Sequence, residues 1–244
     1  MAYSPTVQLA KQLGAIELVD VSRENETKRV AQYFDYLLVL DFEATCWNNN
    51  DRGRKNEVIE FSVVMYDVNE GRIIDEFQQY VQPSEFPILS EFCIELTGIT
   101  QKQVDEGVPI GTCLMLFTKW IKNHQKNLNI SFPCDMVLPG KKKCVFVTWS
   151  DWDLGTCLPK ECRRKNIYKQ EFFGKWVDLR EIYMEHYYRR PKGLLGALEE
   201  VGLEFIGKQH SGLDDAKNTA YLVRKLIQDG ALLRISKMGS HKKR

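Results

Sequence analysis

The stretch Tyr36-Leu-Leu-Val-Leu-Asp-Phe-Glu43 decides the architecture. Its first five residues are apolar and favour β structure, so it predicts a buried strand. Asp41 and Glu43 stand at the carboxyl end of this strand, and side chains two apart on a strand share a face. Two carboxylates held side by side next to a core repel each other, and desolvation raises the cost. Either the strand runs out into solvent here, or a divalent cation neutralises both acids.

The surrounding pattern predicts an α/β domain. Strands at 58–66 and 72–81 flank a turn at Asn69-Glu-Gly71 and should form an antiparallel hairpin. Later strands at 144–149 and 176–179 alternate with helices. Predicted helices cover residues 88–97, 101–106 behind a Thr100 N-cap, 112–125, 154–165, 180–187, 194–201 and 213–228. A meander followed by alternation is typical of a three-layer α/β domain with a mixed five-stranded sheet flanked by helices.

The length of 244 residues favours one large domain with an appendage. Residues 1–32 form an N-terminal extension, in which 7–13 has the pattern of a short amphipathic helix. The main domain is predicted over 33–235, with a surface loop at 127–143. Residues 236–244 are predicted to be a basic C-terminal tail.

The composition is that of an ordinary soluble globular protein, with 43% hydrophobic and 27% charged residues. The 34 Lys and Arg nearly balance the 33 Asp and Glu, so any nucleic-acid surface must be local. No apolar run reaches the ~18 residues of a membrane span, and the N-terminus lacks a signal-peptide pattern. Seven scattered cysteines without a Cys-x-x-Cys pair predict reduced thiols. We therefore expect an intracellular protein of the cytoplasm or nucleus, with no membrane contact.

A second group of acids follows the strand at 144–149. Asp151 and Asp153 both come after an apolar run, and either can cap the helix that begins near residue 154. Their spacing does not decide which of them faces the first acid pair. The neighbouring Trp149 and Trp152 are either core side chains or a platform on which a nucleic-acid base stacks.

A third group opens the last predicted helix, in the stretch His210-Ser-Gly-Leu-Asp-Asp215. At 100° per residue, Asp215 lies within about 60° of Thr219 and Leu222 on the apolar face. Asp214 lies on the polar side, where a first-turn acid suits the helix dipole. His210 precedes the helix in a glycine-containing loop. The helical period therefore singles out Asp215 as an acid at the buried edge of an apolar face.

Together these groups supply four carboxylates and a histidine. Four negative charges match two divalent cations, which is the requirement of two-metal phosphodiester hydrolysis. An imidazole with an ordinary pKa near ~6.5 can accept a proton from water at neutral pH. The sequence therefore predicts a metal-dependent hydrolytic site.

Four motifs carry a resemblance to a known family. They are Leu-Asp-Phe-Glu-Ala-Thr-Cys at 40–46, Leu-Ser-Glu-Phe-Cys-Ile-Glu-Leu-Thr-Gly-Ile at 89–99, Trp152-Asp153, and His-Ser-Gly-Leu-Asp-Asp-Ala-Lys-Asn at 210–218. Taken jointly, they resemble the DEDDh 3′→5′ exonucleases, which have an RNase H-like fold, and within them the Eri-type exoribonuclease family. The resemblance runs from about residue 33 to residue 235.

This resemblance implies roles for individual residues, and it selects Asp153 over Asp151. It implies that two Mg²⁺ ions, for which Mn²⁺ can substitute, bind to Asp41, Glu43, Asp153 and Asp215. His210 matches the general base. The substrate-binding positions it implies are Phe92 and Trp152 around the terminal base, Thr97 at the terminal nucleotide, and the backbone of Glu43 and Ala44 at the 3′-terminal sugar.

The expected function is 3′→5′ hydrolysis of RNA to nucleoside 5′-monophosphates, with DNA left open as a second substrate. The alternatives are an exodeoxyribonuclease of the same superfamily and a catalytically silent protein that binds RNA ends. We expect a nucleic acid with a free 3′ end as the partner, and the sequence implies no obligate protein partner. Candidate basic segments are 141–143, 163–165, 189–192 and 242–244, and the mixture of stacking and phosphate-binding residues at 187–190 makes that segment the most interesting.

Overall fold

The computed structural model describes residues 30–48, 53–136 and 139–239. Over these residues the strands form one mixed sheet in the order β3-β2-β1-β5-β6-β7. Strand β4 pairs with the first two residues of β5. Strand β1 is antiparallel to β2 and parallel to β5, and β5 is parallel to β6. The strands are β1 Tyr36–Ala44, β2 Val58–Asp67, β3 Arg72–Tyr80, β4 Ile130–Ser131, β5 Lys142–Thr148, β6 Lys175–Asp178 and β7 Lys237–Met238.

Helices cover both faces of the sheet. The α-helices are α1 Glu91–Thr97, α2 Gln101–Asp105, α3 Ile110–Leu128, α4 Leu158–Arg164, α5 Leu179–Tyr187, α6 Gly193–Glu200 and α7 Gly212–Gln228. A π-helical turn, Asp153–Cys157, leads into α4, and a 3₁₀ turn, Glu171–Gly174, precedes β6. The predicted N-cap at Thr100 is present, since its side chain accepts a hydrogen bond from the Gln103 backbone.

The central strand β1 explains the three layers. Its side chains alternate between two apolar clusters, because successive residues of a strand point to opposite faces. Leu38 and Leu40 pack on one face with Phe117 of α3, whereas Leu37 and Val39 pack on the other in the cluster that contains α7. Burial on both faces accounts for the continuous apolar run in the sequence. The predicted RNase H-like three-layer α/β class is confirmed.

Among the described residues the sheet has seven strands, where the sequence predicted five. The two additions, β4 and β7, contain two residues each, which is too short for any hydrophobic period to be visible. Strand β4 lies inside the segment predicted as a loop at 127–143, and β5 also begins there, at Lys142. Strand β7 lies inside the predicted tail at 236–244 and pairs with β6. The predicted helix at 7–13 and the basic residues 242–244 lie outside the described residues.

Two further sequence expectations concern membranes and cysteines. None of the helices in the described ranges is long and apolar enough to cross a bilayer. All seven cysteines carry free thiols, as predicted. Five of them are buried, so they serve as small apolar side chains in the core.

Candidate active site

The first acid pair lies at the carboxyl end of β1. Asp41 and Glu43 share one face of the strand, where Asp41 is opposite Ser62 and Glu43 is opposite Glu60 on β2. The pairing shifts register between Glu43 and Ala44, which ends the regular ladder beside the acids. Because β1 and β5 are parallel neighbours, the chain that leaves β5 emerges at this same edge.

Asp153 is the acid that meets the pair from β5. It is buried at the start of the π-helical turn, and its Oδ1 accepts a hydrogen bond from the Phe42 backbone N–H at 3.1 Å. Asp151 is exposed, and its carboxylate lies against Gly155 instead. The structure thus resolves the alternative that spacing left open, because Asp153 is the residue that contacts β1.

Helix α7 brings Asp215 and His210 to the site. The Gly212 backbone N–H donates to Glu60 Oε2 at 3.1 Å, which seats the first turn of the helix on β2. A Cβ at Gly212 would lie 3.2 Å from the Asp41 carbonyl oxygen, so glycine permits this close approach. Ligand atoms of Glu43, His210 and Asp215 lie within 4.8 Å of one another. His210 is exposed, and its backbone is left-handed at φ 60°.

The acids strongly perturb one another. Burial, reinforced by the charges of Asp153 and Asp215, raises the pKa of Asp41 well above its usual range. Burial and then the charges of Asp215 and Glu60 raise the pKa of Glu43 to about 9. Burial likewise raises the pKa of Asp153 and of Asp215 to about 7. Without a counterion the site therefore resists carrying all of its negative charges at neutral pH.

The donor set fits divalent cations. Within the described ranges, no lysine or arginine forms an ion pair with any of the four predicted ligands, so protein cations do not neutralise them. Carboxylate oxygens are the ligands that Mg²⁺ and Mn²⁺ prefer. Asp41 and Asp153 are outside the 4.8 Å group but near enough for their charges to interact, which suits a centre that holds more than one cation.

The predicted substrate-binding residues differ in their exposure to solvent. Phe92 on α1 and Trp152 are large aromatic side chains left 39% and 37% exposed, whereas Trp149 packs against Tyr183 in the core. Thr97 is buried, and its hydroxyl donates to the Cys93 carbonyl at 2.8 Å. The Thr97 hydroxyl therefore stabilises the end of α1 in this structure.

Ala44 is buried at the end of β1. Its carbonyl oxygen faces the Cys93 thiol at 3.8 Å, which holds α1 against the strand that carries the acids. The backbone expected at the terminal sugar is thereby fixed relative to Phe92, which neighbours Cys93 on α1.

Glu60 is a residue of the site that the sequence reasoning missed. It is 1% exposed, and its carboxylate accepts hydrogen bonds from Ser62 Oγ and Gln78 Nε2 at 2.8 Å each as well as from Gly212. The signal was present, since Glu60 is an acid within the apolar strand 58–66. Like Asp41, Glu60 is a carboxylate at a strand position where the hydrophobic pattern favours an apolar side chain.

The fold and this cluster of acids define the class: an RNase H-like nuclease of the DEDDh type, a class that depends on divalent metal. The family model described as Exonuclease (RNase_T) matches residues 38–223. The chain belongs to this exonuclease family.

Relatives place the chain more closely within the family. It is 51% identical to human ERI1 exoribonuclease 2 over 238 aligned residues. The aligned region covers 95% of this chain and 34% of that protein. It is 45% identical to the 3′-5′ exonuclease Snipper of Drosophila melanogaster, covering 88% of this chain and 78% of Snipper. The chain thus spans about a third of the length of ERI1 exoribonuclease 2 but most of Snipper.

A solved structure agrees with this placement. The nuclease domain of 3′hExo, a DEDDh family member crystallised with rAMP, superposes with a TM-score of 0.77 at 36% identity. The superposition covers 85% of this chain and all of that domain.

Proposed function

We propose that this chain is a divalent-metal-dependent 3′→5′ exonuclease that removes nucleoside 5′-monophosphates from the 3′ end of RNA. The observation that carries the proposal is the convergence of Asp41, Glu43, Asp153 and Asp215 beside the exposed His210, with no ion pair from these acids to a lysine or arginine of the described ranges. Membership of the exonuclease family and the exoribonuclease relatives support the same reaction. The rAMP bound to 3′hExo supports RNA as the substrate class.

The four carboxylates would hold two Mg²⁺ ions, with Mn²⁺ as a substitute. When bound, such cations lower the pKa of water and stabilise negative charge on the scissile phosphate and the leaving oxygen. His210 accepts the proton of the attacking water as general base, for which its exposed position on a loop is suitable. When the cations are absent, the four carboxylates repel the phosphate groups of the substrate. Substrate binding and hydrolysis therefore both require metal.

The terminal nucleotide is proposed to lie between the aromatic side chains and the end of β1. Phe92 and Trp152 stack on its base, because both rings are large and partly exposed. The backbone of Glu43 and Ala44 contacts the 3′-terminal sugar, and Thr97 shapes the pocket from the end of α1. A free 3′ hydroxyl group is then recognised by fit, which makes the enzyme an exonuclease.

We assign the nuclease domain to 33–235, extended by the pairing of β7, with residues 1–32 as an extension. Free thiols throughout the described core are compatible with the reducing cytoplasm or nucleus.

The test is product analysis on a 5′-labelled single-stranded RNA of about twenty nucleotides, with a matched DNA strand beside it. We expect a ladder that shortens from the 3′ end, nucleoside 5′-monophosphates as products, and complete loss of turnover in EDTA. A 3′-phosphate on the RNA should block the reaction, and Asp41→Asn is the inactive control. Internal cleavage, or turnover without metal, would contradict the proposal. Preferred hydrolysis of the DNA would make it an exodeoxyribonuclease, and binding without turnover would make it an RNA-end binding protein.

A further inference from the structure

A cleft of about 410 Å³ opens beside Trp152. One wall is the segment Arg54–Asn56, which precedes β2, and the other is α4 with the π-helical turn before it. Because β1 is antiparallel to β2 and parallel to β5, the start of β2 and the end of β5 both lie at the sheet edge that carries the proposed catalytic acids. Trp152 lines the cleft and directly precedes Asp153, so the cleft lies beside the proposed active site.

The cleft is strongly basic in a protein whose net charge is only +1. Its lining contains five cationic side chains and no acidic one: Arg54, Lys55, Lys160, Arg163 and Arg164. Such concentration in a recess focuses positive potential there. The positive charge of the cleft therefore comes from its own lining and not from the net charge of the chain.

Three of these cations are available to a ligand. Lys55, Lys160 and Arg163 are exposed and make no ion pair within the part of the chain that the structure describes. Arg164 differs, because it pairs with Glu85 at 3.0 Å and donates to the Asn56 carbonyl at 2.7 Å, which joins the two walls.

The acids beneath the cleft do not cancel this charge. Glu57 and Glu161 are fully buried, and both bind Lys165 Nζ at 2.6 Å. Backbone N–H groups of Ser84 and Val58 also donate to them. The local acidic charge is thus satisfied inside the protein, and the positive charge faces outward.

We propose that this cleft binds the sugar–phosphate backbone of the nucleic-acid substrate outside its 3′-terminal nucleotide, an inference that rests on the proposed function. Arginine binds phosphate through a fork of N–H donors, and lysine binds it as a point charge. Trp152 lines the cleft and is proposed to stack on the terminal base, so a strand that leaves the active site would enter the cleft at this residue. An acidic peptide could also pair with the cations. Its binding would not explain why the cleft lies at Trp152, beside the proposed catalytic carboxylates, whereas binding of the substrate strand does.

The segment 187–190, which the sequence favoured, is less suited to this task. Arg189 pairs with Glu200 at 3.0 Å, and the Tyr187 hydroxyl donates to Asp229 at 2.6 Å. Two of the four side chains of this segment thus already have internal partners, and the exposed Tyr188 lines a recess with the acidic Glu185. Segment 163–165, in contrast, contributes Arg163 and Arg164 to the cleft.

The test compares two double variants that remove the same charge. Lys160→Ala/Arg163→Ala empties the cleft of two cations, and Lys119→Ala/Lys122→Ala removes two exposed cations from α3 as a matched control. Affinity for a 5′-fluorescein decanucleotide RNA is measured by anisotropy, with Ca²⁺ in place of Mg²⁺ to slow hydrolysis. We expect the cleft variant to bind roughly tenfold more weakly, with a salt slope shallower by about 1.4, and the control to change less than about twofold. For a dinucleotide, the loss in the cleft variant should be much smaller.

Equal losses in the two variants, or no loss in the cleft variant, would overturn the proposal. Displacement of the RNA by a decaglutamate peptide as effectively as by unlabelled RNA would overturn it in favour of a site for acidic proteins. Arg163→Lys keeps the charge and should recover most of the affinity, and unchanged thermal unfolding would show that the fold is intact. Because the readout is binding, it tests the cleft independently of hydrolysis. If the chain proves inactive but the cleft variant still loses affinity for RNA, only the proposed function is contradicted.

Discussion

At the scale of single residues, the site is governed by the cost of placing like charges together. Glu43 faces Glu60 across β1 and β2, and its pKa is raised to about 9 by burial and by the neighbouring acids. A folded protein tolerates such a cluster when it has a use for the charge, since each unpaired buried carboxylate reduces stability. His210 is the exception, because it is exposed and is proposed to act as the general base.

Replacement of the proposed base should separate chemistry from binding. We expect His210→Ala to lower kcat by ~10²- to 10⁴-fold while Mn²⁺ still binds, because the four carboxylates remain. Asp215→Asn should lose both activity and Mn²⁺ affinity. Single-turnover kinetics and calorimetric titration with Mn²⁺ measure the two quantities. A His210→Ala protein with near-normal kcat would remove the histidine from the mechanism.

At the scale of elements, the site depends on where α7 sits on the sheet. Gly212 is the contact point. Its N–H donates to Glu60, and its Cα has little room for a side chain beside the Asp41 carbonyl oxygen. The sequence predicted the helix and chose Asp215 by its period, and it predicted β1 by its apolar run. It did not predict that Glu60 of β2 seats α7, because that contact joins residues 152 positions apart. It also missed β4 and β7, which exist only through pairing with neighbouring strands.

A methyl group at the α7 contact should move the residues that we propose as catalytic. Gly212→Ala places a Cβ 3.2 to 3.3 Å from Asp41, Glu60 and Ser62, so the first turn must shift away from the sheet. We expect activity to fall more than tenfold, with a loss of unfolding free energy of about 1–3 kcal/mol. Gly111→Ala is the matched control, because its nearest neighbour is a side-chain carbon at 3.8 Å. Chemical denaturation and kcat/KM together give the result, and equal behaviour of the two variants would contradict the role of the contact.

The charge network under the basic cleft should be structural. Lys165→Met leaves Glu57 and Glu161 buried without their shared cation, which should lower the free energy of unfolding by ~3 kcal/mol. Lys122→Met, on the exposed face of α3, should change it by less than ~0.5 kcal/mol. Urea denaturation followed by tryptophan fluorescence measures both. If Lys165→Met left the free energy of unfolding unchanged, the backbone donors alone would be sufficient to stabilise the two buried glutamates.

At the scale of the whole molecule, stability, pH and metal are linked through the acids. The folded-state pKa values of Asp153 and Asp215 are about 7, whereas an unfolded aspartate titrates near ~3.9. The folded protein therefore holds more protons than the unfolded chain between these values. Its stability without metal is greatest below the unfolded pKa and is lost as the pH rises toward 7, and toward 9 for Glu43.

Thermal unfolding in EDTA should show this linkage directly. We expect the midpoint to fall steadily from pH 5 to pH 8, and added Mg²⁺ to raise it most at pH 8, where the cations displace the fewest protons. Asp215→Asn should flatten the dependence, because one of the titrating acids is gone. A midpoint that does not vary with pH in EDTA, in a protein that still binds metal, would contradict the proposed repulsion.

Anomalous diffraction at the manganese edge, from crystals of the chain grown with Mn²⁺ and a nucleoside 5′-monophosphate, would show whether the four carboxylates hold two cations. We expect two peaks about 3.5–4 Å apart, ligated by Asp41, Glu43, Asp153 and Asp215. No peak, or peaks bound away from these four carboxylates, would contradict it.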